Sequence, residues 1–178
     1  MLIGLLAFAI ILLAAMVHFC RVPVRHRWRR RQARTMSAQL RGRDRCQPAG
    51  LIYARVRAMD ALAFEELLLE SFRCRGHPIT RNSRYTGDGG IDGQVTLDGR
   101  RWLIQAKRYQ SAIRPEHVEQ FAQLCRRRNM PGLFVHTGRT GPASRSIVTR
   151  SAEIEIISGR RLLALLSGDP FIIGTEAI

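Results

Sequence analysis

Apolar and polar positions change rhythm several times along this chain. Residues 1–20 are almost wholly apolar and uncharged (LIGLLAFAIILLAAMVHF), close to the ~20 residues a helix needs to cross a hydrocarbon core. From Arg21 to about Arg55 no apolar period is sustained; Arg21, Arg25, Arg27, Arg29, Arg30, Arg31 and Arg34 crowd the first half, with Pro23, Pro48 and the single acid Asp44. Helical character then runs from Met59 to Phe72, rich in Ala, Leu and Glu, with Gly76 as a stop. His77 to Ser83 is a short strand candidate, and Arg84 to Gly90 a glycine-bearing loop. Ile91–Leu97 and Arg100–Tyr109 read as two strands joined by Asp98-Gly99, the dipeptide favoured in two-residue type I′ hairpins. Pro115 opens a helix through about Arg128. Gly132–Thr137 is a buried strand, Pro142–Ser151 a helix, Ile154–Ile157 a strand and Arg160–Leu166 a last short helix. The order α-β-β-β-α-β-α-β-α predicts an α/β fold, a mixed central β-sheet flanked by helices.

These changes divide the chain into a transmembrane anchor (residues 1–20), a basic juxtamembrane linker (21–55), a folded body (56–167) and a short C-terminal tail (168–178). No charge precedes the apolar run, and Ala14-Ala15 lie inside it, so an uncleaved anchor is favoured over a removed signal peptide. Arginines behind the span keep that side cytoplasmic. The expectation is therefore a single-pass protein of the inner, cytoplasmic membrane with its body in the cytoplasm. The net charge of +15 points to polyanionic partners, and the linker's arginines are expected on anionic lipid headgroups. Cys20, Cys46, Cys74 and Cys125 have no metal-ligand spacing and read as reduced thiols.

If Asp98-Gly99 is a two-residue turn, Leu97 faces Arg100, Val95 faces Trp102, Gly93 faces Ile104 and Asp92 faces Gln105. Directly opposed residues project to one face, and Lys107, two beyond Gln105, shares it. Carboxylate, amide and ammonium then converge, with Trp102, Ile104 and Ala106 on the other face. Lys107 is the single lysine beside twenty-eight arginines, so a compact point charge is kept at one place where a planar guanidinium is not used. Asp92, Gln105 and the Ala106 carbonyl make a hard oxygen site suited to Mg²⁺ or Mn²⁺. Glu65 adds a further carboxylate, since its helical neighbours are Ala61, Leu62, Leu68, Leu69 and Phe72, where a carboxylate is costly unless paired or ligating. Glu66, with Glu70 and Arg73 nearby, is expected in solvent.

Taken together, several segments resemble the Mrr-like catalytic domain of the PD-(D/E)xK nuclease superfamily. They are Phe64-Glu65, Thr80-Arg81, the run Gly87-Asp88-Gly89-Gly90-Ile91-Asp92-Gly93, Gln105-Ala106-Lys107-Arg108-Tyr109, the Gly132–Gly138 strand and the closing segment with Ser158-Gly159. The resemblance spans roughly residues 59–167 and implies a restriction-endonuclease-like fold that cleaves DNA with a divalent cation. It makes Asp92 the catalytic metal ligand, places Gln105 where the superfamily usually has a second acid, and makes Lys107 the catalytic lysine and Glu65 the helix-borne acid. Asp88 is assigned to shaping the loop.

Arg108 and Tyr109, and with less support Arg84 and Tyr85, are candidates to track a phosphate and stack on a base or sugar. His136 reads as a partly buried, hydrogen-bonded histidine rather than a general base. The leading expectation is a membrane-anchored, Mg²⁺-dependent DNA endonuclease, with a homo-oligomer compatible. The alternative is an inactive nuclease-fold module tethering DNA or a partner protein at the membrane, because the Gln105 amide brings no charge to a metal.

Overall fold

The structure, a computed structural model, describes residues 24–42, 44, 46–82, 90–151, 153–170 and 172–173, together with Gly4, Phe8 and Ile11. Most of the apolar N-terminal run, and the loop holding Arg84, Tyr85 and Asp88, lie outside the described residues. Among the described residues no helix is long and apolar enough to cross a membrane.

Among the described residues from Val24 onward, the elements follow in chain order: α1 (Val24–Arg41), α2 (Ala49–Ala58), α3 (Ala61–Cys74), β1 (Ile79–Arg81), β2 (Gly93–Leu97), β3 (Arg100–Lys107), α4 (Pro115–Arg128), β4 (Gly132–His136), α5 (Pro142–Arg150), β5 (Ile154–Ile157) and α6 (Gly159–Ser167). The strands form one mixed sheet in the order β1-β2-β3-β4-β5. β1, β2 and β3 are antiparallel, whereas β3, β4 and β5 are parallel. From α3 onward this is the element order expected from the sequence.

Two apolar cores lie on the two faces. Ile104, Ala106, Val95, Leu133 and Val135 pack against α3 and α6, while Leu103, Phe134 and Ile156 pack against α4 and α5. The alternation along β3 thereby sends Leu103 and Ile104 to different layers. The β2–β3 register is the one derived from the turn, with Leu97 opposite Arg100, Val95 opposite Trp102 and Gly93 opposite Ile104. Asp98 (φ 49°) and Gly99 (φ 77°) are both left-handed, as a type I′ turn requires.

The segment expected to be a linker is folded. Residues 24–41 form α1, whose Ala33, Ser37 and Leu40 are buried, and residues 49–58 form α2, with Ile52 and Val56 buried. The stripe at 33, 37 and 40 has helical spacing but is made of Ala, Ser and one Leu, so it registers weakly as an apolar period. Arg29 and Arg30 of α1 meet Asp60 and Glu66 at 2.9 and 3.3 Å instead of being left for lipid.

Docking of α1 also corrects the expectation for Glu66. Its side chain is only 4% exposed, and its two oxygens take Arg30 Nε at 3.3 Å and Arg81 Nε at 2.8 Å. Glu70, one turn on, is likewise buried and paired with Arg73 at 2.6 Å. The face of α3 read as solvated is covered by a helix and a strand.

Candidate active site

Asp60 caps α3, its Oδ1 accepting from Leu62 and Ala63 backbone N–H groups at 3.1 Å each, the arrangement that satisfies orphan donors of a first turn. That cap starts the helix carrying Glu65, which is partly buried. Burial pushes the Glu65 carboxyl up from 4.5 to about 8; Asp92's charge adds to the rise, Lys107 opposes it, and Glu66 and Asp60 add smaller increments. Asp92 rises from 3.8 to about 6 for the same first reason, burial, against an Ala106 N–H bond and the Lys107 charge that hold it down. Glu65, Asp92 and Lys107, drawn from a helix, a loop end and a strand end, thus share one electrostatic neighbourhood.

Asp92 does not simply face Gln105's layer. Ile91 packs in the α4-side core, whereas a side chain at Gly93 would strike Leu69 of α3 at 2.8 Å. Two residues apart they point to opposite layers, so the strand alternation breaks at Asp92. The break follows Gly90, whose φ of +91° turns the chain into β2. The Asp92 carboxylate lies at the strand edge instead, where Oδ2 accepts from Ala106 N–H at 2.7 Å. Asp92 N–H donates to Ile104 carbonyl at 2.8 Å. Since alternate residues of a strand direct their backbone groups to alternate edges, the Ala106 carbonyl points to Asp92's edge as well.

Gln105 is buried, 8% exposed. Its Nε2 donates to the Gly90 carbonyl at 2.7 Å, which fixes the amide's orientation, while Oε1 is buried with no hydrogen-bond partner. Leaving a buried amide oxygen unpaired costs roughly 1–3 kcal/mol, and among the described residues nothing pairs with this atom, which leaves it available to a ligand. Gly90 permits the contact: a Cβ there would stand 2.5 Å from Gln105 Nε2.

Among the described residues no group of three His, Cys, Asp or Glu side chains is arranged to hold a metal. The available donors are two carboxylates, the orphaned Gln105 oxygen and the Ala106 carbonyl. All are hard oxygens, the set that suits Mg²⁺ or Mn²⁺ rather than a softer ion. Glu66 and Glu70 are excluded by their arginine pairs.

The other candidates fare differently. Arg108 donates to the backbone carbonyls of Arg57 and Met59, which ties the end of β3 to the end of α2. The Tyr109 hydroxyl meets His117 Nδ1, and its ring stands edge-on to His136 at 6.3 Å. Tyr109 is therefore wedged between histidines and not presented as an open stacking platform. Arg84 and Tyr85 fall outside the described residues. His136 is fully buried, its Nδ1 accepting from Gly138 N–H at 3.2 Å and Nε2 lying 3.1 Å from Thr140 Oγ1. The first contact assigns the proton to Nε2, and burial holds the imidazole down at about 4, so it is neutral and structural, as expected. Thr137 was not anticipated: its hydroxyl bridges Tyr109 N–H and carbonyl at 2.9 Å each. A threonine ending a buried strand gives no sequence signal for such a bridge.

Comparison with known proteins bears on this constellation. Residues 56–166 match the family model of the Mrr catalytic domain, described as a restriction endonuclease. The chain belongs to the Mrr-type restriction endonuclease family. The Mrr match spans α3 through α6 and contains Glu65, Asp92, Gln105 and Lys107. A curated relative, the type IV methyl-directed restriction enzyme EcoKMrr of Escherichia coli K12, is 32% identical over 85 residues, covering 46% of this chain and 28% of that protein. The chain thus matches little more than a quarter of that Mrr protein's length. Among solved structures, the restriction endonuclease FokI overlaps at a TM-score of 0.49 and 13% identity, over 79% of this chain and 32% of that one. SfsA of Pyrococcus furiosus with Ca²⁺ overlaps at 0.38 and 13%, over 59% and 56%.

Proposed function

We propose that the protein is a divalent-metal-dependent DNA endonuclease of the Mrr type, hydrolysing phosphodiester bonds where Glu65, Asp92 and Lys107 share one electrostatic neighbourhood. The observation that carries the reading is the Gln105 oxygen, buried and without a partner among the described residues, one residue from the Ala106 N–H that holds the Asp92 carboxylate; burial raises the Asp92 and Glu65 carboxyls, and the Asp92 charge adds to the rise at Glu65. Asp92, Gln105, Glu65 and the Ala106 carbonyl would hold the ion. When bound, Mg²⁺ or Mn²⁺ supplies Lewis acidity at a phosphoryl oxygen and neutralises charge.

The chain's own residues do the rest. Lys107, at the strand end within the field of both carboxylates, offers a charged donor to the phosphoryl group as negative charge builds on it. The same ammonium opposes the upward push on the Asp92 and Glu65 carboxyls and so favours their ionised, ligating forms. Gln105, clamped to Gly90, presents its oxygen in one orientation, so no side-chain freedom is lost at binding. A water oxygen attacks phosphorus and gives up a proton to solvent, one P–O ester bond breaks, and the leaving oxygen takes up a proton from solvent.

The apolar run of residues 1–20 supports a further part of the reading, that the enzyme is held at the cytoplasmic membrane with its fold on the arginine-rich side. The test is nicking or linearisation of plasmid DNA by the full chain in mild detergent with Mg²⁺ or Mn²⁺. Cleavage is expected for the native protein, lost with chelator and reduced at least about a hundredfold in Lys107→Ala, the scale on which a charge-stabilising donor acts. Equal behaviour of the two proteins would end the assignment. DNA binding that survives chelation, with no cleavage of any DNA, would instead favour a tethering module.

A further inference from the structure

We propose that α1, which lies outside the family-matched residues, is a positioning element of the metal site: Arg29 and Arg30 fix the first turns of α3 and thereby set where Glu65 stands. The inference rests on the nuclease reading, because it concerns the place of one proposed ligand.

Arg29 Nε meets Asp60 Oδ1 at 2.9 Å, the same oxygen that caps Leu62 and Ala63. Arg30 Nε reaches Glu66 Oε1 at 3.3 Å, and Glu66 Oε2 is held from β1 by Arg81 Nε at 2.8 Å. The residue immediately after Glu65 is therefore gripped from two elements, and the cap five residues before it from a third point. A planar guanidinium holds direction as well as charge.

The two halves of α1 dock differently. Its second half buries Ala33, Ser37 and Leu40, which is ordinary packing. Among the described side chains of residues 26–32 none is a buried apolar one; there the approach to α3 is made by Arg29 and Arg30. Non-directional burial would hold α3 against the body, whereas ion pairs to the cap and to Glu66 determine its rotation and height. A ligand site needs that control to within about 0.5 Å. Such outer contacts typically change metal affinity by roughly 10–100-fold when removed.

The effect has a sign that separates positioning from charge. Removing a nearby cation should, by Coulomb's law alone, tighten binding of a divalent ion. Loss of positioning should weaken it. The experiment titrates Mn²⁺ into the full-length protein in detergent, without DNA, following the ion by paramagnetic resonance or calorimetry. Thermal melting is recorded in parallel.

Wild type is expected to bind Mn²⁺. Arg30→Gln and Arg29→Gln should bind about tenfold or more weakly, and Arg30→Lys, which keeps charge without the guanidinium geometry, should fall between. Arg34→Gln removes a cation from the same helix, 4.0 Å from Glu70 and 63% exposed, and should leave affinity unchanged or slightly tighter. Should Arg30→Gln not fold, Arg29→Gln and Arg30→Lys carry the same expectation. Affinities in these variants equal to or tighter than wild type, whatever their melting temperatures, overturn the proposal. Wild type that binds no Mn²⁺ fails earlier, at the nuclease reading, and takes this inference with it.

Discussion

Gln105 performs two tasks with one amide, and only an amide can do both. Nε2 must donate to the Gly90 carbonyl while Oε1 stays open; a carboxylate accepts only. This gives a physical reason for an amide at the position that the resemblance assigns to the superfamily's second acid. Gln105→Glu is accordingly expected to set an acceptor against an acceptor and destabilise the metal-free protein by about 1–3 kcal/mol, read as a lower melting temperature. Gly90→Ala should have a similar consequence, since its Cβ would meet the same nitrogen and its φ is +91°.

The carboxyls give a pH signature. Glu65 and Asp92 have folded values raised to about 8 and about 6, above their unfolded values. Their contribution to metal-free stability is present below pH ~4 and is lost as pH rises through about 6 and then about 8. Melting without metal should show this loss, and Glu65→Gln should remove its upper part. Divalent affinity should rise over the same interval, because ligation needs the ionised forms. His136 works in the opposite sense. Its folded value of about 4 lies below 6.5, so stability is present above pH 6.5 and lost as pH falls toward 4, a dependence that His136→Gln should flatten.

At the scale of elements, the turn chemistry of Asp98-Gly99 set the register of β2 and β3, and the structure reproduces every pairing derived from it within the strands. What failed was the step beyond the strand end, at Asp92, where a left-handed glycine ended the alternation. Helix α1 was missed for a related reason: arginine stems and small side chains can pack a helix without producing an apolar period. Glu66 was misassigned along with it, since the helix that buries its face lies some thirty residues upstream. Glu66→Ala should leave Arg30 and Arg81 facing an emptied site and cost about 3 kcal/mol, measured by denaturant unfolding. Glu119→Ala, whose pair with Arg126 is half-exposed, should cost under about 1 kcal/mol.

For the whole molecule, the two-faced sheet explains why the family-matched residues do not complete the core. Leu67, Leu68 and Phe72 of α3 share one cluster with Ala33 and Leu40 of α1 and with Ile52 and Val56 of α2. A fragment beginning at residue 56 would uncover that face, and it should melt lower and aggregate more readily than the chain that keeps α1 and α2, as size-exclusion chromatography would show. Local order along the chain determined the strands and the hairpin register, because turn chemistry and two-residue periodicity act between near neighbours. Only the tertiary structure decided that a basic segment is a helix, that Glu66 is buried among arginines, and that the Gln105 oxygen has no partner among the described residues. Those outcomes depend on which distant surface covers each residue, and burial by a distant partner leaves no periodic trace in the sequence.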